Sequence, residues 1–239
     1  MRSEMPNDFF QFKQFTIQQD RCALKVGTDG VVLGAWARME GAKRILDIGT
    51  GTGLLALIAA QRNAEASIDA VEIDDASAEQ AAANAAASPW VDRIRVHRMD
   101  VRRMKSAEPY ELIICNPPFY AGEMDSPDAR KGLAKHSGEL TFAELIKAVS
   151  HVIASDGHFA CILPLNREAE LLKLAAGAGL NKVRKCTLRY LDARPAKRVL
   201  LEFSPSTAAS TDEELTVEHA PGVFTEEYRA LLSELMLKF

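Results

Sequence analysis

The chain has 239 residues, and its apolar fraction of 47% is enough to bury a sizeable core in one large α/β domain or two small ones. No apolar run reaches membrane-spanning length, no signal-peptide core is seen near the start, and the four cysteines are far apart. We therefore expect a cytoplasmic protein with reduced thiols, no zinc site and no membrane partner. The net charge of −4 does not indicate nucleic-acid binding, although charge must be judged segment by segment.

Aromatic residues alternate over residues 9–17, which predicts a strand or an extended arm laid over the main domain. A contact between one of these rings and a substrate is the alternative to a purely covering role. The polar segment 25–30 then leads into an apolar helix, so Thr28 or Asp29 is predicted to cap that helix. We treat residues 1 to about 40 as a covering segment of one domain that spans residues 1–239.

A strand, a glycine-rich loop and an apolar helix follow one another over residues 44–60. This order is the first half of a nucleotide-binding βαβ unit, in which glycines let the chain turn tightly and let a ligand approach the backbone. Glu72 ends the next strand about twenty residues later, where a carboxylate can accept hydrogen bonds from two ribose hydroxyls. The same pattern also occurs in NAD sites and in structural turns.

Asp47 precedes the glycines, inside the end of the strand, and it argues against a NAD site. A carboxylate there repels a pyrophosphate but suits the ammonium and sulfonium groups of S-adenosylmethionine. Asp100 follows another short strand and could accept a hydrogen bond from the adenine amino group, although a solvated loop acid fits the residue type equally well. With these carboxylates, the predicted cofactor site comprises Gly49, Gly51, Gly53, Leu54, Ile73, Val101 and Asn116.

The apolar strand 111–115 ends in the tetrad Asn116-Pro117-Pro118-Phe119. Two successive prolines cannot donate to a sheet ladder, so they end the strand and stiffen the chain that follows. In open α/β sheets, ligands bind outside the carboxyl ends of the parallel strands. The acids that follow the earlier strands are therefore expected to converge with Asn116 at one sheet edge.

The tetrad is suited to holding a planar amino group for methylation. The Asn116 side-chain oxygen can accept one N–H and the Pro117 carbonyl the other, while Pro118 helps to fix the direction of that carbonyl. Phe119 can stack on a base, worth about 1–3 kcal/mol. Methyl transfer then depends mainly on positioning and needs no strong general base. The motif alone does not separate DNA, RNA and protein glutamine substrates.

Charge varies strongly along the second half of the chain. Residues 120–139 form a polar, partly basic loop, which is either a lid or a plain connection. Two antiparallel strands are predicted at 183–191 and 198–203. The segment from Lys182 to Arg198 contains seven basic residues and one acid, so its local net charge is +6. Such a charge favours contact with a phosphate backbone. Residues 93–105 are also basic, and for both segments an ordinary solvated face is the alternative.

Taken together, these stretches resemble a bacterial family that methylates N6 of adenine-37 in valine tRNA, and the resemblance covers most of the chain. The glycine loop and Asn-Pro-Pro are shared by all amino methyltransferases of this class, whereas the segments 25–30 and 198–201 are more specific. The matching segments are 12–15, 20–23, 25–29, 33–37, 46–49, 53–57, 88–90, 116–118, 198–201 and 203–205. This chain has Phe119-Tyr120 where the family commonly has two tyrosines.

The resemblance implies an α/β, Rossmann-like class I methyltransferase fold with a mostly parallel seven-stranded sheet and an antiparallel last hairpin. It implies S-adenosylmethionine as cofactor, a tRNA anticodon stem-loop as partner, and neither a metal nor an obligate protein partner. It also changes the role expected of residues 25–29. By resemblance this segment covers the methionine end of the cofactor, so Thr28 and Asp29 become site residues instead of helix caps. The residues that the resemblance assigns to the cofactor are Lys25, Gly27, Thr28 and Asp29. The candidate RNA-binding residues are Phe119 and the neighbouring Tyr120, together with Arg194, Lys197 and Arg198 from the basic segment 182–198.

Three other functions remain open. A protein glutamine N5-methyltransferase acting on a translation factor would use the same tetrad, but it would not need the basic hairpin. A cofactor-sensing RNA-binding protein would bind both ligands without turnover, but a damaged tetrad would then be expected. A sequence-specific DNA methyltransferase is disfavoured because no segment is left for a separate target-recognition domain.

Overall fold

The computed structural model describes residues 8–22, 24–117 and 140–239. Strands and helices alternate through most of this part of the chain. The strands are β1 (Phe9–Gln11), β2 (Thr16–Gln18), β3 (Arg44–Ile48), β4 (Ser67–Glu72), β5 (Ile94–Arg98), β6 (Tyr110–Cys115), β7 (Ile153–Pro164), β8 (Asn181–Leu191), β9 (Arg198–Ser204), β10 (Thr211–Ala220) and β11 (Val223–Phe224). The helices are α1 (Thr28–Trp36), α2 (Leu54–Arg62), α3 (Asp75–Ala86), α4 (Phe142–Val152), α5 (Glu168–Gly177) and α6 (Glu226–Leu232), with 3-10 turns at Val101–Arg103 and Leu165–Arg167.

The main sheet has the order β11-β10-β8-β9-β7-β6-β3-β4-β5 among the described residues. Strands β3 to β7 are parallel, whereas β9 runs antiparallel to both β7 and β8. The predicted Rossmann-like fold with an antiparallel last hairpin is therefore confirmed. The seven predicted strands correspond to β3–β9, and the sheet is wider than predicted because β10 and β11 extend it beyond β8.

Strand β10 lies in the acidic C-terminal segment, where we predicted no strand. Its acids lower the intrinsic preference for a strand, and only Leu215 and Val217 are buried. They alternate with polar residues, which is the pattern of an edge strand with one buried face. Parallel pairing with the basic strand β8 compensates for the acidic composition, because Asp212 lies opposite Lys185 in the register and bonds to Lys182.

The sheet is covered on both faces, as expected for a mostly parallel sheet. Side chains alternate along β6, so Leu112 and Ile114 pack in one apolar layer, and Ile113 and Cys115 pack in the other. Helices α1 and α2 contribute to the first layer, and α4 and α5 to the second. The continuous apolar run before the tetrad is thus a strand buried on both sides.

The aromatic segment near the N-terminus forms the hairpin β1–β2, which packs against the rest of the molecule. Phe12 and Phe15 are buried and stacked at 4.5 Å between ring centroids, and Phe15 meets Trp90 edge-on. The Gln18 backbone N–H donates to the side chain of Asn84 on α3 at 2.9 Å. In the part of the chain that the structure describes, no helix is long and apolar enough to cross a membrane.

Candidate active site

The glycine loop joins the end of β3 to the start of α2. Gly49 and Gly51 have φ values of 70° and 56°, a left-handed conformation that strains other residues. A Cβ atom at either position would meet nothing within 4 Å, so the backbone conformation, not crowding, requires glycine. The N–H of Gly49 donates to the Val71 carbonyl at 2.9 Å, which ties the loop to the carboxyl end of β4.

Asp47 lies beneath this loop and is completely buried. Its Oδ2 accepts hydrogen bonds from the Thr50 hydroxyl at 2.5 Å and from the Ala56 N–H at 3.1 Å. Its Oδ1 has no hydrogen-bond partner in the described structure. Burial, with a smaller contribution from the charge of Glu72, raises the pKa of Asp47 to about 7. The carboxylate therefore holds the loop on α2 and is poised to respond to a nearby positive charge.

Glu72 organises the same loop from the end of β4. One carboxylate oxygen accepts from the N–H groups of Ile73 and Asp74 at 2.9 and 3.0 Å, and the other accepts from Gly51 at 2.9 Å. A carboxylate has about four acceptor positions, so this geometry leaves room for about one more hydrogen bond. The predicted contact with two ribose hydroxyls stays a prediction, and in this geometry Glu72 can make only part of it. Ile73, also predicted to contact the cofactor, exposes 54% of its surface.

Asp100 follows β5 and begins a 3-10 turn, with the buried Val101 next to it. Its carboxylate accepts from the backbone N–H of Arg102 at 2.9 Å and pairs with the guanidinium of the same residue at 2.7 Å. These hydrogen bonds lower the pKa of Asp100. Arg102 also reaches Glu144 on α4 at 3.1 Å, so Asp100 belongs to a charge network. Its contact with adenine stays a prediction.

The predicted convergence at one sheet edge follows from the strand directions. Strands β6, β3, β4 and β5 are parallel neighbours, so the residues that end them share the carboxyl edge. Asn116 lies directly after β6, and the first turn of α1 approaches it. A Cβ atom on Gly30 would lie 3.5 Å from Asn116 Nδ2 and 2.9 Å from Leu54 Cδ2. The start of α1, the glycine loop and the tetrad therefore meet at one place.

The capping role predicted for Thr28 or Asp29 is wrong. Gly27 occupies the N-cap position of α1, and no side chain caps the helix. Asp29 instead accepts hydrogen bonds from the Tyr190 hydroxyl and from Arg198 Nε, the latter at 2.9 Å. A side-chain cap of this kind is present at α3, where Asp74 accepts from the Ser77 N–H at 2.9 Å.

The basic hairpin is largely neutralised, so the predicted phosphate surface is smaller than its sequence charge implied. Five of the seven cations in 182–198 are held by acids from β10, α5 or α1. The pairs are Lys182–Asp212, Arg184–Glu213, Lys185–Glu168, Arg189–Glu214 and Arg198–Asp29. Arg194 and Lys197 are exposed and, in the described part of the chain, have no ion pair. Of the three basic residues expected to contact RNA, Arg198 is the least available, because its guanidinium pairs with Asp29.

The second basic segment is also partly committed to the fold. Arg93 donates to the carbonyls of Ala60, Asn63 and Ala66, and Arg98 pairs with Asp75. Pro117 is buried beside Asn116, whereas Pro118, Phe119, Tyr120 and the predicted loop up to residue 139 lie outside the described residues.

Sequence reasoning missed four side chains that shape the site. Gln80 and Asn84 lie one turn apart on α3 and bind the backbone of Arg21 and Gln18. Gln19 is buried and accepts from the Val26 N–H, and Tyr190 bonds to Asp29. The two α3 amides were detectable, because they are polar residues four apart in an alanine-rich helix. Tyr190 carried no local signal.

Comparisons with known proteins agree with this geometry. Residues 31–163 match the family model described as "Methyltransferase small domain". A tRNA1(Val) (adenine(37)-N6)-methyltransferase of Bacteroides thetaiotaomicron is 42% identical over 98% of this chain and 99% of its own length. Its counterpart in Tolumonas auensis is 44% identical over 96% and 97%. The chain belongs to this methyltransferase family.

The fold agrees with a solved structure as well. A predicted O-methyltransferase of Agrobacterium tumefaciens superposes with a TM-score of 0.66 and 24% identity, covering 87% of this chain and 96% of its own. At this identity the likeness concerns the fold alone. The chain is an S-adenosylmethionine-dependent methyltransferase, and the observed residues fit that cofactor. The buried Asp47 oxygen without a partner suits a cationic ligand and would repel a pyrophosphate.

Proposed function

We propose that this chain transfers a methyl group from S-adenosylmethionine to the exocyclic N6 amine of an adenine in a tRNA anticodon loop. By analogy with the relatives, this base is adenine-37 of valine tRNA. The observation that carries the proposal is the position of Asn116, which ends β6 at the carboxyl edge and lies against the start of α1. We infer that the whole chain, residues 1–239, forms one domain working in the cytoplasm.

Asn116 and Pro117 can assist the amine by hydrogen bonding alone. When bound, S-adenosylmethionine supplies an electrophilic methyl group on sulfur. The adenine amine is a poor nucleophile because its lone pair is delocalised into the ring. Acceptance of its two protons by the Asn116 side-chain oxygen and the Pro117 carbonyl favours a pyramidal nitrogen with a directed lone pair. A neutral thioether would leave as the methyl group is transferred, and the methylated nitrogen would lose its extra proton to water. Pro118 and Phe119 are assigned to fixing this carbonyl and stacking on the base.

The cofactor side of the site is assigned to the residues around the glycine loop. Asp47 and Glu72 would hold the loop in shape, and Asp47 would complement the positive charge of the methionine portion. Lys25, Gly27 and Thr28, before and at the start of α1, would cover that portion. This division leaves the amine to the tetrad and the cofactor to the glycine loop, its two carboxylates and the start of α1.

RNA would approach over the turn between β8 and β9. Arg198 at the start of β9 pairs with Pro164 at the end of β7, so this turn lies at the same carboxyl edge as Asn116. The exposed Arg194 and Lys197 sit in the turn and are available for phosphate groups. Anticodon-loop bases are unpaired, so a target base can be presented without opening a helix.

The deciding experiment is mass spectrometry of nucleosides from unmodified tRNA incubated with the protein and S-adenosylmethionine. N6-methyladenosine is the expected product, and its absence from every unmodified tRNA tested would refute the proposal. Methylated glutamine in a translation factor would support the first alternative. Binding of cofactor and tRNA without any methylated product would support the second.

The two exposed cations of this turn lead to a separate prediction about the salt dependence of tRNA binding. The double variant Arg194→Ala with Lys197→Ala should bind tRNA more weakly, and its log–log salt slope should fall by about one for each lost phosphate contact. Filter binding of tRNA at several salt concentrations measures the slope. Lys182→Ala is the matched control, because Lys182 on β8 already pairs with Asp212 on β10 at 2.6 Å. An unchanged slope in the double variant would place the RNA surface elsewhere.

A further inference from the structure

Asp29 lies where α1 meets the last antiparallel hairpin. One carboxylate oxygen accepts from the Tyr190 hydroxyl and the other from Arg198 Nε at 2.9 Å. The side chains of Asp29 and Arg198 are only 21% and 19% exposed. Partial burial makes such a pair less sensitive to solvent screening than Lys182–Asp212 and Arg189–Glu214, whose acids are more than half exposed.

The two residues that bind Asp29 come from the two strands that carry the basic turn. Tyr190 lies near the end of β8 and Arg198 is the first residue of β9. Between them the turn is braced by its own bonds, from Arg189 to the Arg194 carbonyl at 2.8 Å and from the Lys197 N–H to the Leu188 carbonyl at 3.3 Å. Asp29 therefore holds both strands at the base of the turn.

Asp29 is also next to the part of α1 that lies against Asn116, the residue proposed to bind the adenine amine. The next residue in α1 is Gly30, which approaches the Asn116 amide so closely that an added Cβ would lie 3.5 Å from Nδ2. A hydrogen-bonded helical turn moves as a unit, so a shift of Asp29 would also shift the surface that faces Asn116. The basic turn and Asn116 are thus linked through one carboxylate and one helical turn.

We propose that Asp29, Tyr190 and Arg198 form a clamp that holds the RNA-facing turn in register with the Asn116 amide. The proposal rests on the function proposed above and deepens it. Arg198 is then a positioning residue that acts through Asp29, and Arg194 and Lys197 make the phosphate contacts. The clamp matters for orientation of the bound adenine more than for the strength of RNA binding.

The test compares Arg198→Ala, Arg198→Lys and Tyr190→Phe with the wild type on unmodified tRNA. Arg198→Ala should lower kcat by about 10- to 100-fold, because small errors in placement of reacting groups have effects of this size. The salt slope of tRNA binding should stay close to the wild-type value, because Arg194 and Lys197 are unchanged. Arg198→Lys should restore part of kcat. Tyr190→Phe removes only a hydroxyl, and it should also lower kcat, which keeps the test valid if Arg198→Ala does not fold.

Two controls separate this clamp from a general effect of breaking ion pairs on β8 and from a direct phosphate contact by Arg198. Lys182→Ala breaks an ion pair at the opposite end of β8 and should retain kcat, so an equal loss there would overturn the proposal. A salt slope reduced by about one in Arg198→Ala, with kcat unchanged, would show a direct phosphate contact and overturn it too.

If the wild type forms no N6-methyladenosine, the proposed function fails, and the clamp with it. If the wild type is active and all three variants keep its kcat, only the clamp fails.

Discussion

Asn116→Ala should lower kcat for methyl transfer by about 10²- to 10³-fold, the usual effect of deleting one preorganised hydrogen-bonding group that stabilises a transition state. The asparagine lies at the end of β6, and its main-chain neighbours Cys115 and Pro117 are buried, so the backbone should stay in place. The lost group is the acceptor for one amine proton. The affinity for S-adenosylmethionine should change little, because the glycine loop and its two carboxylates are untouched.

Single-turnover kinetics with tRNA and calorimetry with the cofactor measure the two quantities separately. Asn181→Ala is a suitable control, since this exposed amide bonds to the Pro205 carbonyl at the opposite edge of the sheet. It should leave both quantities unchanged. A large loss of cofactor affinity in Asn116→Ala with turnover retained would contradict the role assigned to the tetrad.

The succession of strands along the chain and the place of the site were predictable because both depend on local patterns. The run before Asn116 is apolar at every position from 112 to 115, which indicates a strand buried on both faces. The glycines after β3 identified a tight loop, and the prolines after β6 fixed the strand end. Parallel strands place their carboxyl ends at one edge of the sheet, so the convergence was expected, whereas the direct pairing of β3 with β6 is seen only in the structure.

Interactions between distant segments were not predictable in the same way. Asp29 has the residue type and position of a helix cap, yet its partners lie more than 160 residues away in sequence. The hairpin likewise carries a strong positive charge, and only the fold shows that acids of β10, α5 and α1 neutralise most of it. Local composition gives the charge of a segment, whereas the fold decides which charges face solvent.

Asp47 should make the stability of this protein fall as pH rises from about 4 to about 7. Its pKa is raised from 3.8 to about 7, chiefly by burial, so the folded state keeps a proton in this range that the unfolded state has lost. The stabilisation is complete below the unfolded pKa and is lost as pH rises through the folded pKa. At about 1.36 kcal/mol per pKa unit, this group accounts for a loss of about 4 kcal/mol.

Asp47→Asn removes this titration while keeping an oxygen that can accept from Thr50 and Ala56. Between pH 4 and pH 8 the wild type should therefore lose about 4 kcal/mol more unfolding free energy than the variant. Urea denaturation across this range measures it, with the exposed Asp156→Asn as a control that should show no such trend. Because the positive charges of S-adenosylmethionine favour ionised Asp47, wild-type affinity for the cofactor should also rise from pH 5 to pH 7, and the rise should be absent in Asp47→Asn. Parallel stability curves for the variant and the wild type would mean that Asp47 is ionised throughout.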